Sequence, residues 1–75
     1  MQIAEYNTPV AENIVEILKR KGLKQVYIAE KAGYKRQEFN DMLNGRRLIR
    51  VNDVVRISSA LGVDANYLYG IEKGA

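Results

Sequence analysis

The chain has 75 residues, with 12 Lys or Arg against 9 Asp or Glu, for a net charge of +3 and a pI of about 9.3. It contains neither cysteine nor histidine, which excludes disulfide staples, thiolate sites, and the commonest metal ligand and general base. No apolar run approaches the roughly 20 residues of a membrane-spanning helix, and the mild basic excess permits a nucleic-acid partner without requiring one.

A chain of this size forms one small domain and buries only about 60% of the surface its unfolded form exposes. Packed apolar side chains must therefore supply the stability, with a second copy of the chain as a natural reinforcement. The N-terminus shows no basic segment followed by an apolar one, so no signal peptide is expected. The lack of cysteine fits an intracellular, cytoplasmic protein.

Gly22, Gly33, Gly45, Gly62 and Gly70 each follow an apolar pattern, where a left-handed helix cap belongs. Five such stops imply five short helices. The expected core spans about residues 9–69, between a loose arm over residues 1–8 and a tail over residues 70–75. The first helix is predicted from Pro9 to Lys21, with Thr8 as cap and proline at the first helical position. Its apolar stripe is Val10, Ile14, Ile17 and Leu18, and Lys19, Arg20 and Lys21 crowd the last turn, where cations suit the helix dipole. The second helix is predicted from about Lys24 to Ala32, with Ile28, Ala29 and Ala32 on one face. The third runs from Arg36 to Leu43, with Phe39, Met42 and Leu43 inward.

The stretch LIRVNDVVRI is rich in β-branched residues and is readable as a strand. Val51, Val54, Val55, Ile57 and Leu61 nevertheless extend over helical turns up to Gly62, and that length favours a fourth helix. Asp64 then caps a fifth, from Ala65 to Tyr69. Tyr67 and Leu68 are expected in the core, with Tyr69 more exposed.

The early break at Gly33 carries the functional argument. Two short helices joined by a tight glycine turn form a helix-turn-helix. That geometry needs a small residue at the crossing, which Ala29 supplies, and a positive φ at the turn, which Gly33 can adopt. Tyr34 can anchor the turn in the core, although Tyr6, Tyr27 and Tyr34 also read as amphipathic surface residues. The basic pair Lys35 and Arg36 stands at the N-terminal end of the third helix.

Leu23, Gln25, Ile28, Ala29, Ala32, Gly33, Phe39, Met42, Asn44-Gly45, Ala60-Leu61-Gly62-Val63 and Tyr67-Leu68 together resemble the Cro/repressor-type, or XRE-like, helix-turn-helix family. The resemblance covers about four-fifths of the chain. It implies an all-α, five-helix, lambda-repressor-like DNA-binding domain of phage or bacterial origin. It further implies that Gln25, Lys35, Asn44, Arg46 and Arg50 hold DNA phosphates, and that Arg36, Gln37, Asp41 and Arg47 face base edges. Four departures stand out. Lys35 replaces the usual Ser or Thr cap, Arg36 replaces a common glutamine, and Ile49 stands where proline is frequent. Leu18 and Leu43 replace an internal arginine–glutamate pair, so the two leucines are expected to touch.

Enzyme readings fail on inventory. Glu12 and Glu16 lie on the solvent stripe, Asn52-Asp53 reads as a helix start rather than a metal site, and each glycine ends a helix rather than cradling phosphate. The chain is therefore expected to be a sequence-specific transcriptional regulator, a small repressor that occupies double-stranded DNA as a homodimer. No cofactor, metal, membrane or small-molecule effector is expected. The competing readings are an antitoxin or protein-interaction module on the same fold, and a small adaptor bundle. A near-neutral third helix, in which Lys35 and Arg36 offset Glu38 and Asp41, favours the interaction module.

Overall fold

The computed structural model describes the backbone of residues 3–70 and the side chains of residues 9–70. Those residues form α1 (Ile3–Lys21), α2 (Gln25–Ala32), α3 (Arg36–Leu43), α4 (Val51–Leu61) and α5 (Ala65–Leu68), with no strand among them. α1 packs against α3, α4 and α5, while α2 packs against α3 and α4. Ile14, Ile17, Ile28, Phe39, Met42, Ile57 and Leu68 are wholly buried at the centre.

α1, α2 and α4 close in the same way. The residue after the terminal glycine donates its N–H five positions back: Leu23 to Leu18, Tyr34 to Ala29 and Val63 to Ser58, at 2.8–3.0 Å. This is the Schellman closure, which satisfies carbonyls that the helix leaves open. It also swings Leu23, Tyr34 and Val63 back toward the interior. At Gly33 the turn requires φ of +88°, the left-handed region.

The start of α1 differs from expectation. The helix begins at Ile3, so the stretch read as a loose arm is helical over residues 3–8, Thr8 is not its cap, and Pro9 lies inside the helix. A proline takes the first helical position where nothing helical precedes it, but Ala4 and Glu5 are strong helix formers and carry the helix through. The consequence is a carbonyl at Glu5 that Pro9 cannot serve. Residues 1–2 and 71–75, which complete the expected arm and tail, lie outside the described residues.

α4 is a helix, as its length implies, and its inward face is partly polar. Val51 and Val55 are 68% and 54% exposed, whereas Asp53 and Ser58 are buried. Polar groups can take an inward face when they are bonded there. The Ser58 hydroxyl donates to the Val55 carbonyl at 2.9 Å, and Asp53 has several partners described below. Tyr67, expected in the core, is 40% exposed. Its hydroxyl accepts from Arg20 Nη1 at 2.7 Å, and that polar tip holds the ring at the surface. Tyr34 is buried, which decides between its two readings. Leu18 is buried in the core cluster, and Leu43 is half-buried against that cluster.

Side chains of α1 tie its neighbours from outside. Lys21 Nζ donates to the Leu61 carbonyl at the end of α4, and Asn13 Nδ2 donates to the Leu68 carbonyl of α5. Asp64 caps α5 by accepting from the Asn66 N–H at 2.8 Å.

Gly33→Ala tests the turn. The added Cβ would lie 2.7 Å from Arg56 Nη2, and an L-residue in the left-handed region carries a strain of about 1–2 kcal/mol. Urea unfolding is expected to show a stability loss of about that size, and a midpoint equal to the parent would contradict it.

Candidate nucleic-acid interface

The turn between α2 and α3 is held by an aromatic ring and two arginines. Tyr34 stacks on Phe39, with ring centroids 6.2 Å apart and planes inclined by 13°. Arg56, from α4, lies over the same tyrosine ring at 4.3 Å. Its Nε and Nη2 donate to the Ala32 carbonyl at 3.2 and 2.9 Å, and Nη2 also reaches the Gly33 carbonyl at 3.2 Å. A cation at a helix C-terminus both bonds the open carbonyls and suits the dipole. Arg47, from the loop after α3, approaches the same ring at 5.7 Å.

At the hydroxyl end of the ring sits Asp53, 6% exposed. Its Oδ1 accepts from the Tyr34 hydroxyl. Its Oδ2 accepts from the Arg50 N–H at 2.9 Å, which caps α4, and pairs with Arg47 Nη1 at 3.4 Å. Arg47 Nη2 also pairs with Glu38 Oε2 at 3.5 Å. One carboxylate thus links the turn, the loop and the start of α4. Burial pushes the Asp53 carboxyl up, but the Tyr34 hydroxyl, the Arg50 N–H and the Arg47 guanidinium together outweigh burial and hold it below the usual carboxylate range. Burial and the bond to Asp53 push the Tyr34 phenol well above its ordinary value.

This frame sets the N-terminal half of α3 outward. A groove opens between the starts of α2 and α3, lined by Lys24, Gln25, Val26, Arg36, Gln37 and Asn40. Lys35 stands just before α3 and gives it no side-chain cap. Glu38 compensates, its Oε1 accepting from the Lys35 N–H at 3.3 Å. Along the outer side of α3, Asp41 Oδ1 accepts from Gln37 Nε2 at 2.9 Å and from Arg46 Nε at 3.1 Å. Asn40 Oδ1 accepts from Asn44 Nδ2 at 3.0 Å and Arg46 Nη2 at 3.3 Å. A guanidinium only donates, so that contact fixes the Asn40 oxygen toward Arg46 and turns the amide nitrogen the other way.

The groove therefore brings Gln25, Arg36 and Gln37 together from two helices. Asp41, Asn44 and Arg46 follow along α3 and its exit, Asp41 bonded directly to Arg46 and Asn44 linked to Arg46 through Asn40. Lys35 and Arg50 are exposed at the starts of α3 and α4. Arg47 stands apart from the groove, turned against Tyr34, Glu38 and Asp53. The sequence reasoning missed Lys24 and Asn40 in the groove, and Asp53 and Arg56 in the frame. Lys24 directly precedes the glutamine already singled out, and Asn40 lies one turn after Arg36, so helical periodicity was signal enough for both. Asp53 and Arg56 act over 19 and 24 residues of separation, and no local pattern marks them.

Of the described residues, no helix is long and apolar enough to cross a membrane. A protein-family model for the helix-turn-helix matches residues 14–74, which is most of the chain. No curated protein matches the sequence.

The Asp53 cluster makes stability depend on pH with a definite sign. Its folded pKa lies below the unfolded value of about 3.9, so its contribution is complete above that pH and lost as pH falls through the folded value. Tyr34 has a folded pKa above the unfolded value of about 10, so its contribution is complete below that pH and lost as pH rises further. Asp53→Ala is expected to cost at least about 1–3 kcal/mol at neutral pH, from the buried phenol left unbonded. It should also flatten the acid limb in urea titrations between pH 2 and 6. An acid limb as steep as the parent's would show that other carboxylates carry it.

Proposed function

The chain belongs to the XRE-type helix-turn-helix family of DNA-binding transcription regulators, and from that premise we propose that it is a small repressor that occludes a palindromic operator as a dimer. The observation that carries this reading is the groove in which Gln25 of α2 meets Arg36 and Gln37 of α3. In such domains the second helix of the motif enters the major groove N-terminal end first, while the first helix rests on the backbone. Arg36 then reads guanine through O6 and N7, the pairing its fork fits best. Gln37 reads the neighbouring base. Gln25, Lys24, Lys35, Asn44, Arg46 and Arg50 hold phosphates. Arg47 keeps the loop in place through Asp53 and Glu38 rather than reaching a base.

Two features keep nonspecific binding low. Asp41 pairs with Arg46 and Glu38 with Arg47, so much of the local cationic charge is offset within the protein. Phosphate neutralisation supplies nearly all sequence-independent affinity, and a single domain with few such contacts binds weakly, at roughly 10⁻⁴–10⁻⁶ M. Pairing two copies restores useful affinity. Adjacent half-sites lie about 34–36 Å apart, and the protein measures 35 × 31 × 21 Å, so neighbouring copies would stand side by side. The exposure of Val51 and Val55 favours one other reading, a protein-interaction module such as an antitoxin.

Arg36→Ala and Arg46→Ala separate the roles. Arg36→Ala should cost about 1–3 kcal/mol on the preferred site and relax choice at one base pair. Arg46→Ala should weaken all sequences alike and reduce the salt slope by about one unit per lost phosphate contact. Equal behaviour of the two variants on specific and random duplexes would refute this division.

Sedimentation on a selected duplex tests the dimer. Two protein chains per duplex carrying two half-sites are expected. A strict one-to-one complex, or salt-independent binding, would favour the interaction module.

A further inference from the structure

The bond between Gln37 and Asp41 fixes more than it first implies. The two residues are one helical turn apart on α3, and Gln37 Nε2 donates to Asp41 Oδ1 at 2.9 Å. A carboxylate only accepts. The amide nitrogen of Gln37 must therefore face Asp41, which turns Oε1 away. With Asp41 on the N–H trans to Oε1, the N–H that remains lies beside Oε1 in the amide plane. Together they form an acceptor and a donor side by side, the pair that matches the N6 donor and N7 acceptor of adenine. A glutamine without such a partner samples many rotamers and presents this edge only part of the time.

Asp41 is itself braced. The same Oδ1 accepts from Arg46 Nε at 3.1 Å, and the backbone N–H groups of Arg46 and Arg47 donate to the Asp41 carbonyl at 2.8 and 3.2 Å. Arg46 is steadied in turn by Asn40 Oδ1 at 3.3 Å. With two donors already on Oδ1, that oxygen has no lone pair to spare, which leaves Oδ2 as the one atom of Asp41 that a base could reach.

We propose that Asp41 is a positioning residue: it reads no base itself but orients the Gln37 amide for bidentate recognition of adenine. This rests on the reading of Gln37 as a base contact given above. It replaces the expectation that Asp41 itself faces a base edge.

The test selects bound sequences from random duplex DNA with the parent protein and with Gln37→Ala, Asp41→Ala, Asp41→Asn and Arg46→Ala, each checked for native helicity by circular dichroism. The parent should prefer adenine at one base pair by roughly 5- to 140-fold, the range of one bidentate contact. Gln37→Ala should abolish that preference. Asp41→Ala should lose most of it at the same base pair while leaving the guanine read by Arg36 unchanged. Asp41→Asn keeps an acceptor oxygen and should retain most of the preference, as should Arg46→Ala, which leaves the Gln37 bond in place. A preference that depends on Gln37 but survives Asp41→Ala intact overturns the positioning role alone. A change in Asp41→Ala at a base pair that Gln37→Ala does not touch shows that Asp41 reads a base directly. A parent with no preference lost in Gln37→Ala overturns both the positioning role and the reading of Gln37.

Discussion

Asp53 stays charged in the interior because the Tyr34 hydroxyl, the Arg50 N–H and the Arg47 guanidinium converge on it. An unpartnered buried carboxylate would be costly, so the fold is committed to delivering all of them. Each partner belongs to a different piece of the proposed DNA-facing apparatus. Tyr34 closes the turn that aims α3, Arg47 belongs to the loop that leaves it, and Arg50 opens α4. Arg56 adds a second tie from α4 to the turn by bonding the carbonyls of Ala32 and Gly33. In a domain too small for an extensive core, this polar cluster takes over the task of fixing one helix against another.

On the proposed reading, the same arrangement would let a nearly neutral helix face DNA. Glu38 is engaged by the Lys35 N–H and by Arg47, and Asp41 by Gln37 and Arg46. The acids therefore serve as internal bracing rather than as a bare negative face. What remains directed into the groove is Lys24, Gln25, Arg36, Gln37 and Asn40, a cationic and amide-rich set suited to base edges and phosphates. A protein so arranged relies on hydrogen-bond geometry more than on net charge.

Much of the fold was legible because glycine and local periodicity report on backbone events nearby. Gly22, Gly33 and Gly62 mark Schellman closures, and their positive φ values are what a left-handed cap requires. The motif spacing around Ala29, Gly33 and Phe39 likewise placed α2, the turn and α3. The errors arose where a local rule met a distant partner. Pro9 was read as a helix start from its own chemistry, though the preceding residues sustain the helix. Val51, Val54, Val55, Ile57 and Leu61 identified the helix, but which of them face inward was not legible, because the buried face is completed by Asp53 and Ser58. Tyr67 was expected in the core, though Arg20 holds its hydroxyl at the surface. At the candidate site, the family resemblance implied Gln25, Arg36 and Gln37, and the basic pair at the start of α3 pointed to Arg36 by its position. The bracing of Arg47 and Asp41 depends on side-chain directions that spacing does not encode.

The central claim is that the face built from the starts of α2 and α3 meets DNA. Titration of a selected duplex into isotopically labelled protein, followed by amide chemical shifts, tests it most directly. Large changes are expected at Lys24 and Gln25, at Lys35 through Asp41, and at Asn44 through Arg46, fading as salt rises. Changes centred instead on Tyr27, Val51 and Val55, or no saturable change with a duplex, would contradict it.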